Sequence, residues 1–242
     1  YRSFKWTNDA PGMAGVHCVI IGLQIAGGQS GVEKRIYDSF DQYRTATNIS
    51  PYLIDGPNLT VESHERTLWP APRMSFGNQP IDGGHFLLED DEIHALTETE
   101  REKIKPFVKE YVGSREMMNG TSRKILWLRN DQKSSWADIK TVQEHLDSVR
   151  KFRLRSPRAE TREMAERPWE WGFTTPLGET YLAVPGVSSE GREYVPIAFY
   201  SEEVIASNAL LVVPNARLTH FAVLCSAMHN AWIRVVAGRL ES

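Results

Sequence analysis

Apolar positions change their period several times along this chain, and each change marks an element. Val16 to Gln24 (VHCVIIGLQ) is a near-continuous apolar run with β-branched residues, which predicts a strand buried on both faces. Phe4-Lys5-Trp6 would be its antiparallel partner, with Asn8 to Gly15 as the connecting loop. Glu33 to Phe40 predicts another strand, the return of a hairpin turned at Gly27-Gly28-Gln29-Ser30-Gly31. Tyr43 to Asn58 holds no clear period and reads as irregular; Trp69 to Gly84, dense in proline and glycine, reads as a second loop-rich stretch.

Helical periodicity starts at Asp90. Thr97-x-x-Glu100 has the form of a capping box, and Ile104, Phe107, Val108 and Tyr111 follow on one helical face, with Gly113 as the stop. Arg123 to Leu128 predicts a strand. Ser135 to Phe152 predicts an amphipathic helix, because Trp136, Ile139, Val142, Leu146, Val149 and Phe152 recur every three or four residues. Pro157 to Glu166 continues as a more charged helix. Thr180 to Val187 and Tyr194 to Phe199 are strand-like, Glu202 to Ala206 is a short helical or strand piece, and Leu210 to Val213 is a short strand. Arg217 to Ala237 predicts one long helix, apolar on most sides and stopped by Gly238; such a helix is buried or docked on another domain. The fold class is therefore α+β (an irregular α/β), with a mixed or antiparallel sheet, flanking helices and a long C-terminal helix. A boundary near Gly27 to Ser30 would separate an initial hairpin from the main domain.

Composition narrows the class. The chain has 242 residues, 41% hydrophobic and 24% charged, which is ordinary for a globular protein able to bury a sizeable core. Its net charge of −3 gives no global basic signal, so any affinity for nucleic acid must come from local patches. Two distant cysteines, Cys18 and Cys225, form neither a disulfide framework nor a zinc pattern; they read as buried, reduced thiols of a cytoplasmic protein. No apolar run is long enough to span a membrane, and no signal peptide is present. The first residue is tyrosine, which reads as a piece of a longer polypeptide.

Catalytic signatures are missing. The sequence has no dinucleotide fingerprint, P-loop, zinc-protease helix or nucleophile elbow, and its histidines have no metal-ligand spacing. His220 and His229, nine apart, would face opposite sides of a helix. Glu89-Asp90-Asp91-Glu92 suits a helix start, where the dipole favours carboxylates.

What remains is a set of groups suited to DNA. Glu190 and Arg192 lie two apart in the polar loop Ser188 to Glu193, between two strands. In extended backbone alternate side chains share a side. A carboxylate accepts from cytosine N4 and a guanidinium grips guanine O6 and N7, so the pair matches one base pair in the major groove; alternatively it is a surface ion pair. Asn78 and Gln79 carry the amide type that pairs with adenine, or else cap a turn. Arg150, Lys151, Arg153, Arg155 and Arg158, interleaved with Phe152 and Leu154, form a basic stripe suited to phosphates, or a solvated helix face. Arg115, Arg123 and Lys124 are further candidates for backbone contact.

Longer motifs add a resemblance. Ser75-Phe-Gly-Asn-Gln-Pro-Ile-Asp-Gly-Gly84, Ile104-Lys-Pro-Phe-Val108, Gly113-Ser-Arg-Glu116, Asn119-Gly120 and Lys124-Ile-Leu-Trp-Leu128 occur in order. Phe152-Arg-Leu-Arg155, Ser188 to Pro196, Ile205-Ala-Ser-Asn208, Val213-Pro-Asn-Ala216, His220-Phe221, Met228-His-Asn-Ala-Trp232 and Gly238-Arg-Leu240 follow. Together they resemble the target-recognition domain of MmeI-like type IIG/IIL enzymes, single-chain restriction–modification proteins that join an endonuclease, an adenine-N6 DNA methyltransferase and one recognition domain. Tyr1 to Leu23 resembles the last hairpin of the methyltransferase domain. The resemblance implies residues 1–28 as that hairpin and 29–242 as the recognition domain, with Phe221, Met228 and Trp232 as core or docking anchors of the C-terminal helix. It implies Glu190 and Arg192 at a specificity-determining position, double-stranded DNA and the methyltransferase domain of the same polypeptide as partners, and S-adenosylmethionine, with Mg2+ for cleavage, in the parent. No cofactor is expected in this chain, which lacks the Asn-Pro-Pro-Tyr type motif and would not be catalytic by itself. Gly191 stands where the family often has a basic residue, which loosens the loop. The rival expectation is a protein-interaction or scaffold domain whose basic stripe meets an acidic partner.

Overall fold

A computed structural model describes residues 4–6, 16–24, 33–39, 41–62, 70–189 and 191–237. The chain divides into two compact units, residues 1–68 with 231–242, and residues 69–230.

In the first unit β1 (Phe4–Trp6) pairs antiparallel with β2 (Val16–Cys18), Trp6 opposite Val16, as the sequence suggests. The connecting residues 8–15, like the glycine-rich turn at 27–31, lie outside the described residues. The expected long buried strand is shorter and open. Val19, Ile20, Ile21 and Leu23 are exposed, the last at 92%, because among the described residues no element covers the run beyond Cys18. Cys18 itself is a half-buried free thiol. A second hairpin joins β3 (Lys34–Tyr37) to β4 (Tyr43–Ala46), Tyr37 opposite Tyr43. The strand from Glu33 therefore takes its partner from the segment expected to be irregular, not from the preceding run. Closing a short turn at Asp38–Gln42 costs less chain entropy than pairing across a long one. Arg35 lies over the Tyr43 ring at 4.3 Å.

The second unit holds two four-stranded sheets. In chain order its elements are β5 (Ser75–Phe76), β6 (Leu87–Leu88), α1 (Asp90–Ala95), α2 (Glu98–Ile104), β7 (Val108–Val112), α3 (Ser114–Asn119), β8 (Arg123–Leu126), α4 (Lys133–Trp136), α5 (Lys140–Leu154) and α6 (Ala159–Glu163). They continue with β9 (Thr180–Pro185), β10 (Ala198–Ser201), β11 (Val204–Ala206), β12 (Leu210–Pro214) and α7 (Leu218–Leu224); α8 (Ala227–Val236) starts in this unit, its residues from 231 on being counted in the first. One sheet is antiparallel in the order β10-β9-β12-β5; the other, β11-β7-β8-β6, is mixed, with β11 parallel to β7. The α+β expectation holds. One core serves both sheets: Tyr181, Ala183, Leu210 and Val212 meet Tyr111, Val112, Ile125 and Leu126, and α5 closes it with Val142, Leu146 and Val149.

Three helices expected from periodicity are not continuous; the one expected over Ser135 to Phe152 is α4 and α5, parted at residues 137–139. The capping box at Thr97 and Glu100 is present, with both reciprocal hydrogen bonds. Yet α2 stops at Ile104, since Pro106 cannot continue the ladder, and Val108 to Tyr111 run on as β7. Gly113 precedes α3 instead of ending a helix. The long C-terminal helix breaks into α7 and α8 at Cys225–Ser226. Ser226 Oγ donates to the Val223 carbonyl (2.7 Å) and accepts from His229 N–H (3.1 Å), which starts a new helix there. That helix pair is not buried: Leu218, Val223, Met228 and Trp232 are exposed, while Phe221 and Leu224 pack on Leu182 and Val213. Cys225 is likewise only half-buried and free. Gly238 lies outside the described residues. Among the described residues no helix is long and apolar enough to cross a membrane.

Candidate nucleic-acid interface

The polar loop around Arg192 is the connection between β9 and β10, neighbours in the antiparallel sheet. Two residues would suffice to turn such a hairpin; here residues 186–197 intervene, and connections this long are commonly functional. The stem is anchored. Gly186 N–H donates to the Ala209 carbonyl (3.0 Å) on entry, Ile197 packs against the Leu182–Val213 cluster on exit, and Val195 N–H donates to Asn230 Oδ1 (2.9 Å). Between these anchors Val187, Arg192, Glu193 and Tyr194 are exposed. Arg192 N–H donates to the Ser189 carbonyl (3.1 Å), a local turn that leaves the guanidinium at the surface. Glu190 lies outside the described residues.

The basic stripe separates into an outside and an inside. Arg150, Lys151, Arg155 and Arg158 are exposed, and Phe152 and Leu154 between them remain 40% and 52% exposed. Arg153 is wholly buried. Its guanidinium donates five hydrogen bonds to backbone carbonyls: Nε to Ile81 (2.9 Å), Nη1 to Met164 (3.0 Å) and Arg167 (3.1 Å), Nη2 to Pro80 (3.0 Å) and Glu170 (2.6 Å). All five donors of the fork are used. Burial lowers its pKa to about 10, with Asp82 and Glu170 opposing, so it stays charged at neutral pH. Arg153 therefore has no donor for a phosphate and leaves the stripe. It fixes the turn at Ile81, a β-branched residue held at φ 52°, where side chains are rarely found. Arg162 and Arg167 turn to their own neighbourhood, Arg162 to the Ser156 and Pro157 carbonyls and Arg167 to Glu170.

Asn78 is corrected in the same way. It is completely buried; Nδ2 donates to the Ala206 carbonyl (3.0 Å) and Oδ1 accepts from Thr175 N–H (2.8 Å). Its amide joins the loop before β6 to β11 and cannot reach a base. Gln79 differs: its backbone exchanges two hydrogen bonds with Phe173, and its side chain is exposed beside that residue, which is itself 47% exposed. Arg115 is exposed on α3. Arg123 is exposed but paired with Glu116 (3.0 Å) and lies over the Tyr111 ring at 5.2 Å; Lys124 pairs with Asp90 (3.2 Å). Exposed pairs of this kind are weak and can be exchanged for a phosphate.

Sequence reasoning missed Arg153 as a hub and Asn230 as a loop anchor. Five positive charges in nine residues hid the first, although its place four residues after Val149 on the apolar stripe of α5 marks an inward position. Among the described residues no group of three or more His, Cys, Asp or Glu could hold a metal.

Known proteins resemble this chain along its length. Residues 55–242 match the family model for the MmeI target recognition domain. DNA methyltransferase A of Bacillus subtilis (strain 168) is 33% identical over 243 residues, covering all of this chain and 27% of the relative. The solved structure of the type IIL restriction–modification enzyme MmeI in complex with DNA matches with a TM-score of 0.85 at 38% identity, over all of this chain and 32% of that one. The chain thus spans about a third of the MmeI chain and about a quarter of the curated relative. It belongs to the MmeI target recognition domain family.

Proposed function

We propose that this chain reads DNA sequence for a larger adenine-N6 methyltransferase of restriction–modification type. The observation that carries the reading is the long, stem-anchored and outward-facing loop at Arg192, in a chain that shares its fold throughout with an enzyme solved on DNA. A methyltransferase must extrude a stacked adenine, at a cost of a few kcal/mol, so the duplex has to be held in fixed register by other groups. Arg150, Lys151, Arg155 and Arg158 supply phosphate contacts, with Arg115, Arg123 and Lys124 as a second set. Arg192, with Glu190 two residues before it, reads a base pair in the major groove, and Gln79 offers an exposed amide for another. In this reading S-adenosylmethionine, and Mg2+ for cleavage, bind elsewhere in the parent, and no catalytic step is carried by this chain. Residues 1–28 are the closing hairpin of the methyltransferase domain, 29–242 the recognition domain, and the enzyme works in the cytoplasm, where its DNA is.

The test is a charge exchange, Glu190→Lys with Arg192→Asp, in the full-length enzyme. A good bidentate contact discriminates by about 1–3 kcal/mol, so the base accepted at one position should change while methylation persists. An exchanged enzyme that modifies the original site at the original rate overturns the readout role. Titration of the chain with short duplexes at two salt concentrations separates this reading from a protein scaffold, which would ignore DNA.

A further inference from the structure

The Met228-His-Asn-Ala-Trp232 motif has no role in the reading above, yet its central residue touches the recognition loop. Asn230 sits inside α8, where asparagine is a poor helix former because its amide competes with the backbone. It is only 5% exposed, and a buried amide is tolerated when it is fully paired. Both halves are paired. Nδ2 donates to the Ser226 carbonyl one turn back (2.9 Å), which fixes the amide orientation and turns Oδ1 to the Val195 N–H (2.9 Å). Ser226 is itself held by its hydrogen bonds to Val223 and His229. The chain of contacts runs from the α7–α8 corner to the last residue before Pro196, where the loop returns to β10.

That position matters because it lies at the exit of the loop. Ile197 rests on a cluster that includes Phe221 and Leu224 of α7, and Val187 and Tyr194 on either side of the tip are exposed. A loop of residues 186–197 with Gly191 near its tip has many backbone states. The part-buried hydrogen bond at Val195 restrains them on the exit side, three residues after Arg192. Losing it leaves Arg192 exposed and charged, but not aimed.

We propose that Asn230 is a positioning residue for base recognition: it fixes the exit of the Arg192 loop, and so sets how strictly one base pair is discriminated without itself touching DNA. The inference rests on the proposed reading of that loop. It predicts a division of effects. Overall affinity, carried by the basic groups of α5 and α6, is unchanged, while selectivity at the position read by Arg192 falls.

The experiment compares Asn230→Ala and Asn230→Asp in the full-length enzyme, with kcat/KM for methylation measured on the cognate duplex and on duplexes altered at each position in turn. Aspartate keeps an acceptor for Val195 N–H but loses the donor to the Ser226 carbonyl; alanine loses both. For alanine the ratio of cognate to altered kcat/KM should fall about tenfold at one position only, in line with an unpaired, partly buried N–H, and aspartate should restore part of it. Equal ratios for wild type and alanine overturn the proposal, as does an aspartate variant that behaves like alanine. Residue-resolved hydrogen exchange on the wild-type enzyme gives an independent check, needing no variant to fold: Val195 N–H should exchange more slowly than the N–H of the exposed Tyr194, and equal rates overturn the assignment. The exchange of Glu190 and Arg192 is run alongside. If it changes the accepted base while Asn230→Ala has no effect, the reading of the loop stands and the role of Asn230 falls; if it changes nothing, the loop reading itself falls.

Discussion

Replacing Arg153 with methionine isolates the hub on which the domain's loops converge. The substitution keeps a long apolar stem and removes the five donors. Three of the five carbonyls retain another partner: Met164 accepts from Arg167 N–H, Arg167 from Glu170 N–H, and Pro80 from Gly172 N–H. The carbonyls of Ile81 and Glu170 depend on Arg153 alone in the hydrogen bonds described. Each buried acceptor left unpaired costs about 1–3 kcal/mol. Two of them, with the gap left by the guanidinium, give a loss of about 4 kcal/mol, in the range seen when one partner of a buried polar network is removed. Release from the desolvation that lowers the arginine pKa offsets part of this. With a urea slope of roughly 2 kcal/mol per molar, the midpoint should move down by about 2 M, followed by tryptophan fluorescence, since Trp169 and Trp171 flank Glu170. Arg153→Lys keeps the charge but gathers its donors on one nitrogen, which cannot serve carbonyls on several sides; it should lose about half as much. A methionine variant within about 1 kcal/mol of wild type, or a lysine variant equal to it, would refute the assignment of a structural hub and return Arg153 to the surface stripe.

Other expectations are independent of that one. Gly77→Ala should destabilise by about 3 kcal/mol in the same unfolding assay, because its Cβ would lie 2.7 Å from the Ala206 carbonyl oxygen and against that of Ser207. Neutralising Arg150, Lys151, Arg155 and Arg158 together should weaken DNA binding for all sequences and flatten the plot of log affinity against log salt by about 4 units of slope; an unchanged slope makes them solvated surface residues. Burial pushes Tyr111 up to about 12 and Tyr181 further, so neither should give phenolate absorbance below about pH 11 while the protein is folded. Their raised values mean that this stability is full below pH 10, the value of an exposed tyrosine, and is lost as pH climbs toward 12.

The fold was most legible where one physical signal acted alone. The apolar stripe from Trp136 to Val149 lies inside, because nothing in that segment competes with burial. The Thr97–Glu100 box and the strand at Arg123 were equally plain, the first because a capping pair is a local signal, the second because Ile125, Leu126, Trp127 and Leu128 form an apolar run too short for a helix. Periodicity misled where chain chemistry overrode it. Ile104, Phe107 and Tyr111 keep helical spacing across Pro106, and all three are buried, but the proline forces the last of them onto a strand. Leu218 to Val236 are apolar enough for one buried helix, and Ser226 divides it while most of its apolar positions face outward.

The candidate site divides along the same line. Exposed side chains on a loop are legible because charge has no reason to be there unless it meets solvent or a partner; Arg192, Arg155 and Arg158 are of this kind. Asn78, Arg153 and Asn230 do not show their place in one dimension, and all three are interior. Their task is to satisfy backbone groups of loops that have no ladder of their own: Ala206 and Thr175 for Asn78, the turns at 80–81 and 164–170 for Arg153, Val195 for Asn230. A domain that reads DNA through long connections needs such residues, since each connection has unpaired N–H and C=O groups that helices and sheets would otherwise absorb. Hidden polar side chains hold the stems, so the exposed tips are left free to vary in sequence at little cost to stability. In the proposed reading, recognition chemistry and folding chemistry fall to different residues, even where, as at Arg153 and Arg155, they lie two apart at the end of α5.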